Sequence, residues 1–257
     1  MTSSKEETKM GQAHVLVTGA AGGIGAAIVQ KLLAQGANVT ATDLPPFGTS
    51  GSNFGSTQCA EHTLDVTDTA QIAELTEMAW KSSFGPVDAL VNAAGVFGGA
   101  PGVQTSDKEL QRLFSINAFG VFAMCRAVGS KMAERGHGSI VTVGSNAGSL
   151  PRTNMVAYGA SKAAASSITR SFGLELGRNG VRCNVVCPGT TRTPMIEGLD
   201  SEEGLITGDQ SAFKTGIPLG RIAEPNDIAE VVVFLTSTSA RHVTLQEVVV
   251  DGGASQR

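Results

Sequence analysis

Tyr158 is the only tyrosine in the 257-residue chain, and Lys162 follows it four positions later in the stretch MVAYGASKAA. On a helix that spacing places a phenol and an ammonium group on one face, about one turn apart. Proton transfer is the chemistry such a pair can perform. A free phenol has a pKa of ~10 and is a poor base at neutral pH. Bringing it to ~7 takes about 4 kcal/mol of preferential stabilisation of the phenolate, at ~1.36 kcal/mol per unit. A lysine cation several Å away in a partly desolvated site supplies energy of that order. In isolation, a Tyr/Lys pair at helical spacing is usually an ordinary surface pair, so its surroundings decide its meaning.

A second set of residues points to a nucleotide. The apolar run VLV at 15–17 leads straight into TGAAGGIG, with Gly19, Gly23, Ile24 and Gly25, and then into a helical pattern. Glycines allow a tight turn and close approach of backbone to a pyrophosphate, while the helix N-terminus offers unpaired N–H groups and partial positive charge. A glycine-rich turn alone could be no more than a tight connection. No Gly-Lys-Ser/Thr follows, so it is not a triphosphate loop. Asp43 closes NVTATD, where a carboxylate can accept hydrogen bonds from both ribose hydroxyls and repel a 2′-phosphate, which favours NAD over NADP. As a purely structural residue, Asp43 would start the turn into LPP. Asp65, in HTLDVTD at the end of a third short strand, either touches adenine or caps the helix beginning near Asp68.

These residues need a scaffold. HVLVTG, NVTATD, ALVNAAG, SIVTVGS, VRCNVVC and EVVVDGG read as strands buried on both faces. Helical segments alternate with them: GIGAAIVQKLLAQGA, TAQIAELTEMAWKS, the long run from DKELQRLF to KMAERG, the segment opening MVAYGASK, and PNDIAEVVVFLTS. Alternation of this kind predicts a doubly wound α/β domain with a parallel sheet and helices on both faces. One such domain, 13–257, is expected behind a disordered polar tail, 1–12, with no internal repeat or second domain. Gly36, Gly136 and Gly180 are expected to end helices. Residues 44–58 are too rich in Pro, Gly and Ser for a helix. Residues 189–210 are irregular and follow a strand end, where ligands bind in open sheets; the alternatives are a substrate lid and a surface loop.

Composition narrows the partners. The net charge of −4 and the lack of a basic block give no electrostatic footprint for nucleic acid or an anionic membrane. No signal-peptide core precedes the first strand, and no stretch approaches ~18 uninterrupted apolar residues. A cytoplasmic protein acting on a small molecule is expected. The cysteines, Cys59, Cys125, Cys183 and Cys187, form no CxxC and read as reduced core thiols. The histidines lack metal-binding spacing, so no metal site is expected.

TGAAGGIG, NAAG at 92–95, Asn117 in SINAFG, Ser145 in VTVGS, YGASK at 158–162 and PGTTRT at 188–193 occur in an order and spacing that resemble the short-chain dehydrogenase/reductase family. The resemblance covers nearly the whole chain after the tail. It implies a Rossmann-type domain, a nicotinamide cofactor, a homotetramer, and a catalytic group of Asn117, Ser145, Tyr158 and Lys162. Cofactor contacts are expected from Gly19, Gly23, Ile24, Gly25, Asp43, Asp65, Val66, Asn92, Gly95, Tyr158, Lys162, Pro188 and Thr193. In the implied mechanism Tyr158 is the base, Lys162 lowers its pKa together with the oxidised nicotinamide, Ser145 binds the substrate oxygen, and Asn117 holds water for a proton path.

A narrower resemblance is carried by GSIVTVGSNAGSLPRTNMVAYGASKAAA, FKTGIPLGRIAEPNDIAE and HVTLQEVVVDGG. It is to members of that family that oxidise a cyclic dihydrodiol acid to a catechol in siderophore pathways. Arg152, which can grip a carboxylate through two parallel hydrogen bonds, is the candidate substrate contact, with Met155 and Met195. Its alternative is a solvated loop arginine. Other functions stay open: the amino analogue of that dehydrogenase, a 3-oxoacyl reductase, or an NAD-binding sensor without chemistry.

Overall fold

A computed structural model describes residues 11–45, 47, 54–196 and 201–256. Residues 1–10 of the expected tail, part of the 44–58 loop and residues 197–200 of the expected lid lie outside the described residues. The strands are β1 (His14–Thr18), β2 (Asn38–Asp43), β3 (Cys59–Thr63), β4 (Ala89–Asn92), β5 (Gly138–Val143), β6 (Val181–Pro188), the two-residue β7 (Gly208–Asp209) and β8 (Lys214–Thr215), and β9 (Glu247–Val250). The helices are α1 (Gly23–Ala34), α2 (Thr69–Trp80), α3 (Asp107–Phe114), α4 (Val121–Arg135), α5 (Val156–Leu176), α6 (Glu202–Thr207) and α7 (Pro225–Thr236). Seven strands form one parallel sheet in the order β3-β2-β1-β4-β5-β6-β9, while β7 and β8 pair separately and antiparallel.

Alternation within each strand divides the core in two. Val15 and Val17 of β1 pack with Val39, Val91, Val141 and Val186 against Ile28 and Leu32 of α1 and Ile228 and Val232 of α7. Leu16, between them, points through the sheet to Leu90, Ile140, Leu75 of α2 and Met124 and Val128 of α4. Apolar side chains on both faces explain why these strands read as continuous hydrophobic runs. The strand order reverses between β1 and β4, which opens the crevice where such sheets bind ligands.

Gly36, Gly136 and Gly180 adopt left-handed φ of 82°, 88° and 73° just past helix ends, as expected. Asp68, rather than Asp65, caps α2, accepting from the Ala70 and Gln71 N–H groups at 2.9 and 3.1 Å. The run Asp107–Arg135 is 29 residues long with the mean hydropathy of a membrane span, but charged residues interrupt it and 56% of its most apolar window is buried within the fold. Two expectations need correction. That run is not one regular α-helix, since Ser115–Gly120 between α3 and α4 form a π-helical turn. The 189–210 segment is more regular than its composition suggests: α6 forms there with Ser201 as N-cap, its hydroxyl accepting from Gly204 N–H at 3.1 Å.

Candidate active site

The carboxyl ends of β1, β2, β4, β5 and β6 border a single cleft of about 1080 Å³. At its β1 end the glycine turn is shaped by contacts that leave no room for side chains. A Cβ on Gly19, where φ is +68°, would stand 2.5 Å from the Ala94 nitrogen, and one on Gly25 would overlap the Gly19 carbonyl oxygen. The N-cap of α1 is Gly22, with no side-chain cap, so the first N–H groups of the helix open toward the cleft. Asp43 lines the cleft, and its carboxylate accepts from the Ala21 and Leu44 N–H groups at 2.8 and 2.7 Å, bracing the turn that follows β2. Asp65 and Val66 line the same end, with Asp65 Oδ1 held by Thr67 N–H and hydroxyl at 2.8 and 2.7 Å.

Gly95 comes close to Lys162 and Asn117: a Cβ there would lie 3.1 Å from Lys162 Nζ and 3.3 Å from Asn117 Oδ1. Asn92, expected beside the cofactor, does not line the cleft. Its amide points into the core and donates to Thr142 Oγ1 at 3.2 Å and Cys125 Sγ at 3.4 Å. Strand alternation sends the position after Val91 to the α4 side of the sheet.

Asn117 sits in the π-helical turn, 1% exposed. Its amide clasps the backbone of Val96, accepting from N–H and donating to C=O at 2.9 Å each, and donates to Ser161 Oγ at 3.0 Å. The side chain thus fixes the loop after β4 to α5, and the water-holding role expected of Asn117 does not fall to its amide nitrogen, which is fully used. A π turn in this position is a common mark of a functional site.

Ser145 follows β5 in extended conformation, its hydroxyl accepting from Ala147 N–H at 3.2 Å. Tyr158 and Lys162 share one face of α5 and are 8% and 6% exposed. The Tyr158 ring meets Phe97 edge-on at 5.1 Å between centroids. Burial raises the phenol above its ordinary pKa, and its hydrogen bond with Ser145 pulls the other way. Lys162 is drawn down by burial to about 8 and donates to the Val143 carbonyl at 3.0 Å. Lys162 as held here does not by itself offset the burial of the phenol, which leaves the charge of an oxidised nicotinamide as the expected second contribution. Desolvation penalises both charged forms, and the ammonium is committed to a main-chain carbonyl.

Thr193 crosses back over the glycine turn, close enough that a Cβ on Gly23 would stand 2.7 Å from its methyl group. Pro188, Thr193, Arg152, Met155 and Met195 all line the cleft, as do Gly23, Ile24 and Gly25. Residues not singled out from the sequence also reach it. Arg112 of α3 donates to the Phe97 carbonyl at 2.9 Å and is paired with Glu109, and Lys214 of β8 also lines the cleft. Among the described residues, the acids lining the cleft are Asp43 and Asp65, at the β1–β3 end; away from that end its charged residues are Arg112, Arg152, Lys162 and Lys214.

Known proteins share this organisation. Residues 19–255 match the sequence profile described as Enoyl-(Acyl carrier protein) reductase. A 2,3-dihydro-2,3-dihydroxybenzoate dehydrogenase of Bacillus subtilis (strain 168) is 44% identical over 249 residues, covering 93% of this chain and 94% of its own. The protein of that name from Escherichia coli (strain K12) is 43% identical over 246 residues, covering 94% and 96%. A solved structure described as a short chain dehydrogenase/reductase family protein superimposes with a TM-score of 0.85 at 34% identity, covering 97% of this chain and all of that one. With the glycine turn, the Ser145–Tyr158–Lys162 group and these full-length likenesses together, the chain belongs to the short-chain dehydrogenase/reductase family and is an oxidoreductase that works with a nicotinamide cofactor.

Proposed function

We propose that the protein oxidises 2,3-dihydro-2,3-dihydroxybenzoate to 2,3-dihydroxybenzoate with NAD, a step toward a catecholate siderophore. The observation that carries this reading is the division of charge in the cleft: acids at the nucleotide end, and around Ser145 and Tyr158 an end whose charged side chains are all basic. That end suits an anionic substrate, and two relatives at 44% and 43% identity are named for one.

The residues present fit a dinucleotide. Gly19, Gly23 and Gly25 form a cradle that a Cβ would fill, and the α1 N-terminus faces it. Asp43 is the group that would accept from both ribose hydroxyls and exclude a 2′-phosphate, which is why NAD is preferred here over NADP. Asp65 and Val66 would border the adenine, Gly95, Pro188 and Thr193 the nicotinamide half, and Lys162 its ribose. The bound cofactor supplies the hydride acceptor.

Tyr158 takes the proton of one ring hydroxyl as the carbinol carbon loses hydride. Ser145 donates to the same oxygen and stabilises its developing charge. The phenolate is reached only with added positive charge, which Lys162 shares with the oxidised cofactor. The dienone formed tautomerises to the catechol, and aromatisation draws the reaction toward oxidation. Arg152 holds the carboxylate, between Met155 and Met195. Asn117 keeps Gly95 and the neighbouring loop against Lys162. Met195, Ile196 and Leu205, which line the cleft beyond β6, would cover the substrate. Exposed Phe119 and Leu174, 63% and 74% accessible on the α4/α5 side, support assembly as a homotetramer. Four free thiols agree with a reducing cytoplasm.

A substrate panel tests the reading: the dihydrodiol benzoate, its 3-amino relative and simple secondary alcohols, each with NAD, followed by NADH absorbance and catechol fluorescence. Turnover confined to the dihydrodiol acid is expected. Turnover with acyclic alcohols alone would sink it.

A further inference from the structure

The basic residues of the cleft differ in what already holds them. Arg112 donates to Glu109 at 2.7 and 2.8 Å and to the Phe97 carbonyl, and Lys162 is tied to Val143. Lys214 is half-buried on β8 and, among the described residues, its ammonium has neither an ion pair nor a hydrogen bond. The acid opposite it in the β7–β8 ladder is Asp209, whose Oδ1 accepts instead from Ser211 N–H and hydroxyl at 2.9 and 2.7 Å.

The backbone beneath Lys214 is held firmly. Thr215 Oγ1 donates to the Ala254 carbonyl at 2.7 Å, and Ile217 N–H to the Ile206 carbonyl at 2.7 Å. Glycines on either side are required: a Cβ on Gly208 would stand 2.5 Å from the Lys214 carbonyl oxygen, and one on Gly216 2.6 Å from that of Ile206. The strand therefore presents its lysine to the cleft from a fixed base, on the wall formed with Leu205 and Ile217.

We propose that Lys214 is a specificity-determining contact for the substrate carboxylate, acting with Arg152. This rests on the reading that the substrate is a benzoate-type acid. Arg152 reaches the cleft from the loop before α5 and Lys214 from the β7–β8 ribbon, so a carboxylate bridging them is held by two segments far apart in sequence. A planar guanidinium engages both carboxylate oxygens, and a lysine adds a point charge on a flexible stem. A neutral dihydrodiol would leave the Lys214 ammonium without an anionic partner, and the enzyme would select against it.

The test compares binding of 2,3-dihydroxybenzoate and of catechol, which lacks the carboxylate, at saturating NAD, in the parent protein, Lys214→Met and Lys214→Arg. Unchanged NAD affinity verifies that each variant is folded. The parent should prefer the acid; Lys214→Met should weaken the acid by about 10-fold, as loss of one charged hydrogen bond implies, and leave catechol unchanged. Lys214→Arg should recover most of the preference. In turnover, the methionine variant should raise KM for the dihydrodiol acid with kcat nearly unaltered. Retention of the full acid preference by Lys214→Met overturns the role of Lys214 while leaving the proposed substrate standing. A parent that binds acid and catechol equally overturns the substrate reading, and this proposal with it.

Discussion

At the β1–β3 end of the cleft the surface that meets a ligand is mostly main chain, whereas at the β5–β6 end it is mostly side chain. The first end is shaped by Gly19, Gly23 and Gly25 and the N-terminus of α1, with Asp43 braced on Ala21 N–H. The second depends on Ser145, Tyr158, Lys162, Arg152 and Lys214, drawn from a strand end, a helix, a loop and a separate ribbon. Main chain placed by a tight turn recognises what all dinucleotides share. Side chains assembled from distant segments recognise a particular substrate and do the chemistry. If this division is real, substitutions at one end should leave the function of the other nearly intact.

The largest effect is expected at Tyr158. Tyr158→Phe removes the proton acceptor but keeps the ring that packs on Phe97, so kcat should fall by about 1,000-fold, within the range for losing a general base. NAD affinity, measured by titration, should change less than about 3-fold, because hydrogen bonds elsewhere carry most of the binding. A parallel collapse of NAD binding would break the division.

A smaller effect is expected at the other end. Asp43→Ala removes the ribose acceptor and the brace on Ala21, and KM for NAD should rise by roughly 10–100-fold, the equivalent of one or two charged hydrogen bonds. Activity with NADP should rise relative to NAD. KM for the dihydrodiol acid should stay put, and steady-state kinetics with each substrate varied in turn would show whether it does.

The smallest effect concerns stability. Burial lowers Lys162 from its ordinary 10.5 to about 8, so at neutral pH the fold carries a desolvated cation at a cost of roughly 3 kcal/mol. The folded-state pKa lies below the unfolded one, and between the two the unfolded chain binds the extra proton. Stability should therefore rise with pH from about 8 to about 10.5. Lys162→Met should lack that rise, although other groups shape both curves. Thermal melts of both proteins across that range measure the difference. A constant gap in Tm at every pH would mean that the lysine is not held at a cost, and that the catalytic end stores no strain.

The same division explains what the chain disclosed before its structure was known. The glycine turn and Asp43 were legible because strand, turn and helix are contiguous, so their chemistry is written in local spacing. Tyr158 and Lys162 were legible for the same reason, lying one helical turn apart. Asn92 was misplaced because β4 is buried on both faces, and an apolar neighbourhood does not tell which face a polar residue takes. The π-helical turn at Asn117 adds one residue to a repeat without disturbing its hydrophobic pattern. Helix α6 did carry a signal, Ser201 followed by Glu202 and Glu203, but the glycines and nearby proline outweighed it. Arg112 and Lys214 had no local signature; only the fold brings them to the cleft. The raised pKa of Tyr158 was likewise invisible, since burial is a property of the assembled molecule.

The most direct measurement is a product balance. The purified protein, given NAD and 2,3-dihydro-2,3-dihydroxybenzoate, should form NADH and 2,3-dihydroxybenzoate in equal amounts, with Tyr158→Phe forming almost neither. NADH without the catechol acid, or no turnover of the dihydrodiol acid by a protein that binds NAD, would contradict the account.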